Sequence, residues 1–361
     1  MHLVIEATMT GKAWALIAVV IVAVAAAAVA IMLMTPGQDP VDPVDPDDPY
    51  VPEYPDGITY DSKTQSLRSN TSIVWKYTYM LVPFVDQVSV ESEGKTLKLD
   101  SGYYKVTAKG ETFDYIVDGT ATKQMDWKYH HGDDVWSVHI EYDIDIRELA
   151  KIMIKNREYN NLMVYKFADL PDQVYVNDTY KSIASQLKTI YLDNGGDIND
   201  RQAYADFLIA FAEDPLGIKY PWADVQRDYR IWGVSEYWAN SLETAFFGMG
   251  DCDDSAAVGC AILKAAGFKV AMVGVPGHVT ASVALDSFEE RDLSEYADIV
   301  KTVSRFTIGK GASVYGDDDT IYYGFDTTSG QCPVGYMIKS TVDYFGKDTF
   351  WGISGFYPVK D

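Results

Sequence analysis

The sequence predicts an α+β fold in which an antiparallel β module precedes a domain of mixed helices and strands. Between about residues 58 and 145, apolar side chains alternate with polar ones, which is the period of a half-buried strand. From about residue 178 they recur at intervals of three and four, which is the period of an amphipathic helix. At 361 residues and 47% hydrophobic content, the chain can fill the cores of two domains.

Two segments of the predicted β module show the strand period most clearly. One has an apolar face made of Ile73, Trp75, Tyr77, Tyr79 and Leu81. The other has an apolar face made of Val138, Ile140, Tyr142 and Ile144. Three histidines also fall in this module, at positions 130, 131 and 139, and we interpret them as surface residues rather than metal ligands, because they lie on a polar face or beside a turn.

An uncharged apolar segment, residues 13–34, precedes the β module. As a helix it would reach roughly 33 Å, which is enough to span the hydrocarbon core of a membrane. Lys12 stands before it, and all the charged residues between this segment and Lys63 are acidic. We therefore expect a cytoplasmic tail at residues 1–12 and the bulk of the chain outside. We favour an uncleaved anchor, with a cleaved signal peptide and a buried core helix as the alternatives.

A segment rich in aspartate and proline, residues 35–57, follows the predicted anchor. It is too polar to be buried and too rich in proline for regular structure, so it is expected to act as an extended spacer. The predicted domains are then a β-rich module at residues 58–170 and a second domain at residues 171–361. A net charge of -23 without a basic cluster argues against nucleic acid as a partner.

Three helices are expected in the first part of the second domain. Two of them have apolar stripes made of Ile183, Leu187 and Ile190, and of Tyr204, Phe207, Leu208 and Phe211. Asp178 and Asn199 are predicted to cap these two helices. Asn240 and Glu243 have the spacing of a capping box, which predicts a short third helix.

Cys252 is predicted to begin a further helix. Residues 248–254 read Gly-Met-Gly-Asp-Cys-Asp-Asp, and an alanine-rich stretch follows and ends at Gly267. Unpaired N–H groups at a helix start favour a thiolate, although Asp253 and Asp254 oppose that effect. The position therefore favours a nucleophilic cysteine.

Two further side chains complete a possible catalytic group. His278 is predicted to begin a strand after the Pro276-Gly277 turn, with Thr280 and Ser282 on its face and the odd-numbered residues 279–285 on the core face. Asp326 ends a predicted strand at residues 321–326. An imidazole can take a proton from a thiol, and a carboxylate can orient that imidazole.

The remaining cysteines, Cys260 and Cys332, do not form a zinc-binding pattern with Cys252, because no CxxC spacing is present. A bridge between Cys260 and Cys332 stays open as an alternative to two free thiols.

Several of these motifs together resemble the transglutaminase-like superfamily. They are Gly250-Asp251-Cys252-Asp253-Asp254, the helix to Gly267, the strand pair with His278, and Phe325-Asp326-Thr327-Thr328. The upstream segments Glu236-Tyr237-Trp238 and Leu242-Glu243-Thr244 are similar to the approach segment of prokaryotic members. The resemblance covers roughly residues 175–340.

The resemblance implies a papain-like α+β catalytic domain at residues 171–361. Cys252 is then the nucleophile, His278 the acid and base, and Asp326 the group that orients the histidine. The backbone N–H of Cys252 needs a second oxyanion donor, for which the candidates are Trp222, Trp232 and Trp238.

The expected activity is that of an extracytoplasmic hydrolase of amides or isopeptides, or an acyl transferase, acting on a protein or peptide. Hydrolysis is favoured by analogy with prokaryotic members, and no cofactor or metal is implied. Two features depart from the family: a long insertion between Leu285 and Ile321, and Thr327 in place of a frequent proline.

Two other functions are compatible with the sequence. The chain could be a non-catalytic, membrane-anchored surface module that binds protein or glycan and retains the three residues as packing. Alternatively, Cys252, His278 and Asp326 could bind a metal, although catalytic zinc usually has more closely spaced ligands.

Overall fold

The computed structural model describes the chain from residue 52 onward with internal gaps. The described ranges are 52–161, 165–213, 216–219, 227–275, 277–289, 303–304, 320–328, 330, 332–338 and 355–360. Within them the chain is a mixed α+β structure with antiparallel sheets, as predicted. None of their helices is long and apolar enough to cross a membrane, and the predicted anchor at residues 13–34 lies outside the described ranges.

The β module begins with an antiparallel sheet of five strands. They are β1 (Ile58–Asp61), β2 (Ser66–Tyr79), β3 (Ser89–Leu97), β4 (Gly102–Ala108) and β5 (Glu111–Val117). The order is β1-β2-β4-β5, and β3 also pairs with β2. Trp75 lies in the core of this sheet with Val106 and Tyr115, in agreement with the alternation read from β2. Between β2 and β3, a short 3-10 helix covers Phe84–Asp86.

A long hairpin follows, formed by β6 (Thr120–His131) and β7 (Asp134–Asp145). Every second residue of β7 is buried from Trp136 to Ile144, which confirms the predicted period. Its buried face contacts the helices that follow: ring centroids are 5.8 Å apart for Trp136 and Tyr191. The hairpin and these helices therefore share one core.

Along the chain, the helices of the described residues follow this hairpin and precede the second sheet. They are α1 (Ile146–Asn161), α2 (Asp178–Asp193), α3 (Arg201–Ile209), α4 (Arg227–Trp232), α5 (Ser241–Phe247) and α6 (Cys252–Ala265), with a 3-10 helix at Phe167–Gln173. The capping box of Asn240 and Glu243 at α5 is confirmed.

The predicted caps of α2 and α3 were wrong by one residue. Asn177, not Asp178, accepts a hydrogen bond from the backbone of α2, and Asp200, not Asn199, does so at α3. In each case the predicted cap and the observed cap are adjacent polar residues. The backbone geometry at the helix start determines which of the two side chains accepts the bond.

The second sheet is antiparallel throughout. Its strands are β8 (Val270–Val275), β9 (His278–Ala284), β11 (Tyr322–Phe325) and β13 (Gly355–Pro358), while β10 (Val303–Ser304) pairs with β12 (Met337–Ile338). The order in the sheet is β11-β9-β8-β13, and helix α6 packs on β8 and β9. The sheet thereby places the start of β9 and the end of β11 beside the helix that begins at Cys252.

The odd-numbered residues 279–285 are buried as predicted, and the opposite face of β9, with Thr280 and Ser282, is buried as well. The hydroxyl of Thr280 bonds to the carbonyl of Phe325, and that of Ser282 lies 3.4 Å from the carbonyl of Ala271. Because neighbouring strands satisfy these hydroxyls, polar residues on this face can be buried at little cost.

Candidate active site

Cys252 is the first residue of α6 and is partly exposed. Asp251 and Asp254 form a capping box at this helix end, each accepting a backbone N–H of the other. The cap fixes the first turn, so the thiol lies where the helix dipole favours negative charge. The Cys252 Sγ lies 3.8 Å from Oδ1 of Asp253.

His278 opens β9, and its side chain is only 9% exposed. Its Nε2 lies 3.1 Å from Oδ2 of Asp326, and the Cys252 side chain also interacts with its ring. Burial acts to lower the pKa of His278, but Asp326 and then Cys252 outweigh it and raise that pKa to about 10. The site therefore favours an imidazolium.

Asp326 follows β11 directly and is fully buried. Since Phe325 at the end of β11 lies opposite Ala281 on β9, Asp326 comes alongside the first residues of β9. Burial acts to raise the pKa of Asp326, but His278 and the backbone N–H and hydroxyl of Thr328, at 3.0 and 2.6 Å, lower it overall. A charged carboxylate is therefore held against the imidazole.

The three side chains expected to act together are thus neighbours. Because Nε2 of His278 faces Asp326, Nδ1 is the ring nitrogen left for the thiol of Cys252. A thiolate beside an imidazolium that a carboxylate orients can attack an acyl carbon and protonate the leaving group.

Buried carboxylates support the backbone around this site. Oδ1 of Asp254 accepts the N–H of Ala239 at 2.8 Å, and Oδ2 of Asp228 accepts the N–H of Tyr237 at 2.8 Å. The first bond holds the segment between α4 and α5 against the start of α6, and the second holds it against α4. Asp228 on α4 was not identified from the sequence, and no local pattern distinguishes it from a surface aspartate.

These carboxylates also lie close to one another. Burial, and then the charge of Asp251, raises the pKa of Asp228, Asp253 and Asp254 well above the usual carboxyl range. Asp251, Cys252 and Asp253 each offer a ligand atom within 4.8 Å of the others, as do Asp228, Asp251 and Asp254. Among the described residues, these are the sets of three such side chains close enough together to hold a metal ion.

The three tryptophans predicted as oxyanion donors have different surroundings. The backbone N–H of Trp238 donates to Oδ1 of Asn160 at 2.8 Å, and its indole N–H donates to Glu236 at 3.0 Å, so both are already engaged. The indole N–H of Trp232 is buried without a hydrogen-bond partner in the described part of the chain, and its ring stacks on Tyr237. Trp222 lies outside the described residues. The second oxyanion donor stays a prediction.

Helix α1 contributes side chains to this region that sequence reasoning missed. The amide of Asn156 donates to the carbonyl of Trp238 at 2.8 Å and to Glu243 at 2.6 Å, and Asn160 accepts from the N–H of Trp238. The sequence did contain a signal for them: Asn156 and Asn160 are four residues apart and share a helix face with Leu149 and Met153. Polar residues on an apolar helix face need buried hydrogen-bond partners.

The other two cysteines are free and fully buried. The alternative of a bridge between Cys260 and Cys332 is therefore wrong in this structure. Burial raises the pKa of both thiols above the ordinary cysteine value, which disfavours their reactive form. Cys252 differs from them in its exposure and in its histidine partner.

Comparison of the chain with protein-family models, with curated proteins and with solved structures finds no match. The function is therefore inferred from the residues of this chain.

Proposed function

We propose that the chain is a cysteine-dependent hydrolase of amides or isopeptides, or an acyl transferase, with a papain-like, transglutaminase-like catalytic domain. The observation that carries the proposal is the contact of His278 with both Cys252 and Asp326. The substrate is a protein or peptide, because these supply the amide bonds that such a site attacks. No cofactor takes part in the proposed reaction.

The proposed reaction has two halves. The thiolate of Cys252 attacks the carbonyl carbon, and the carbonyl electron pair moves to oxygen. As the carbonyl reforms, the C–N bond breaks and the imidazolium of His278 gives its proton to the leaving amine. A thioester to Cys252 remains. Water or a second amine then attacks it, His278 takes the proton from that nucleophile, and the thiolate of Cys252 leaves.

The residues around the thiol and the imidazole support these steps. Asp326 holds the His278 ring and stabilises its positive charge, as the raised histidine pKa of about 10 indicates. The cap by Asp251 and Asp254 fixes the backbone N–H groups at the start of α6. The N–H of Cys252 lies at this helix end, where it can donate to the developing oxyanion.

The proposed location is the cell membrane, with the catalytic domain outside the cytoplasm. Support comes from the sequence: residues 13–34 form an uncharged apolar stretch, and an acidic, proline-rich spacer follows. The protein would act on substrates near the membrane surface.

A turnover assay tests the proposal. The detergent-solubilised full chain is incubated with a library of fluorogenic peptide amides, with and without a labelled primary amine. The wild type and the matched control Cys260→Ala should release the amine product, whereas Cys252→Ala should not. Incorporation of the label would identify acyl transfer, and its absence hydrolysis. Equal turnover by Cys252→Ala would refute the proposal and favour a non-catalytic binding module.

A further inference from the structure

Two hydroxyl groups connect the elements that carry Cys252 and Asp326. Ser255 lies in the first turn of α6, three residues after the cysteine, and Thr327 follows Asp326 directly. Both are 2% exposed, and their hydroxyl oxygens are 2.8 Å apart. This side-chain bond joins the helix of Cys252 to the end of β11.

The direction of this bond follows from the neighbouring acceptors. Ser255 Oγ also lies 2.7 Å from the carbonyl oxygen of Asp251 and 3.4 Å from that of Cys252. A carbonyl can only accept, so the single hydroxyl proton of Ser255 goes to the shorter contact, Asp251. Thr327 is therefore the donor to Ser255, and both hydroxyl groups are satisfied.

The helix and the strand approach very closely at this point. A Cβ added at Gly259 on α6 would lie 3.0 Å from the ring of Phe325 and 3.5 Å from Cγ2 of Thr327. Such close packing transmits small shifts, because buried neighbours leave no free volume to absorb them. A change at Thr327 therefore moves Asp326 relative to Cys252 rather than being absorbed locally.

We propose that Ser255 and Thr327 are positioning residues that set the distance between the Cys252 helix and the Asp326 carboxylate. This inference depends on the proposed function of Cys252, His278 and Asp326 as one catalytic unit. Thr327 stands where the family that the motifs resemble often has proline, which has no side-chain donor. The hydroxyl pair is thus a feature of this chain that the family pattern lacks. It acts through His278, which contacts both Cys252 and Asp326.

The test compares variants that keep or remove the bond. Thr327→Val keeps the side-chain shape without the hydroxyl, Thr327→Ser keeps the hydroxyl, and Ser255→Ala removes the acceptor. The rate of Cys252 alkylation by iodoacetamide is measured on the full chain at neutral pH, with the labelled site located by mass spectrometry. Circular dichroism identifies variants that fold, and Ser255→Ala decides the question if Thr327→Val does not fold.

We expect Thr327→Val and Ser255→Ala each to slow alkylation about 10-fold, because small displacements in a catalytic group are costly. Thr327→Ser should stay within about 2-fold of the wild type, and the double variant should be no slower than either single variant, since both remove the same bond. Where turnover is measurable, kcat should fall and KM should not change.

Two different failures can be distinguished. If the wild-type Cys252 reacts no faster than a free cysteine, the proposed function itself fails, and the positioning role fails with it. If the wild type reacts fast and folded Thr327→Val or Ser255→Ala reacts equally fast, only the positioning role is overturned. The positioning role is likewise overturned if Thr327→Ser is as slow as Thr327→Val, or if the two single effects multiply.

Discussion

Glu243 belongs to a buried hydrogen-bond network beside the site. Its titration allows the energetic cost of burying this carboxyl group to be measured. Its side chain is fully buried and accepts hydrogen bonds from Asn156 at 2.6 Å, the Asn240 backbone at 2.8 Å and the Tyr237 hydroxyl at 3.0 Å. Burial raises its pKa from 4.5 to about 7, although these three bonds act to lower it.

Because the pKa of Glu243 is raised in the folded state, its contribution to stability falls as pH rises. Because the folded state holds the proton of Glu243 more tightly than the unfolded state, the stabilisation is fully present below about pH 4.5 and is lost as pH rises through about 7. At about 1.4 kcal/mol for each pKa unit, the rise corresponds to about 3 kcal/mol in the free energy of unfolding.

The change Glu243→Gln removes this titration and preserves most of the contacts. The glutamine carbonyl can accept from Asn156 and Asn240, and its amide can donate to the hydroxyl of Tyr237. As pH rises from 4.5 to 7.5, the difference in the free energy of unfolding between the variant and the wild type should therefore shift in favour of the variant by about 3 kcal/mol. The raised pKa values of Asp228, Asp253 and Asp254 and the lowered pKa of Asp326 also make stability depend on pH, but these groups are common to both proteins and cancel in the difference.

Urea unfolding followed by fluorescence at four values between pH 4.5 and pH 7.5 measures this difference. Glu158→Gln, at an exposed position of α1, is the matched control and should follow the wild type. A constant difference between Glu243→Gln and the wild type across this range would refute the reasoning. It would mean that Glu243 is ionised in the fold despite its burial.

Three further predictions concern the site and the anchor. Asp326→Asn should lower turnover roughly 10⁴-fold with little change in melting temperature, because the amide cannot stabilise an imidazolium; a lost fold with a retained rate would contradict this. Asn160→Ala should destabilise the chain by about 1–3 kcal/mol in urea unfolding, because it leaves the N–H of Trp238 without its acceptor. Asn161→Ala, at an exposed neighbouring position, should not. Deletion of residues 1–34 should give a soluble, folded protein in gel filtration, and aggregation would argue against an isolated anchor.

The features that sequence predicted well depend on local signals. Cys252 at a helix start follows from capping residues and an alanine-rich stretch, and His278 at a strand start follows from a turn before a β-branched run. The period of β7 likewise identifies its buried face. Such patterns are fixed by neighbours in the chain, so they can be read without knowing the fold.

The features that sequence did not reveal depend on contacts between distant segments. The hydrogen bond from Trp238 to Asn160 joins residues 78 positions apart in the sequence, and the bond between Ser255 and Thr327 joins residues 72 positions apart. The burial of Thr280 depends on the neighbouring strand, which supplies a carbonyl for its hydroxyl. Residue type and spacing do not specify these partners, because each is chosen by tertiary packing.

Covalent trapping of Cys252 tests the proposed catalytic role most directly. The full chain is treated with a peptidyl electrophile, and the modified residue is identified by mass spectrometry of the digested protein. We predict an adduct on Cys252, none on the buried Cys260 or Cys332, and much slower labelling in His278→Ala, which lacks the base. An adduct on another cysteine, or unchanged labelling in His278→Ala, would contradict the assignment of Cys252 and His278 as nucleophile and base.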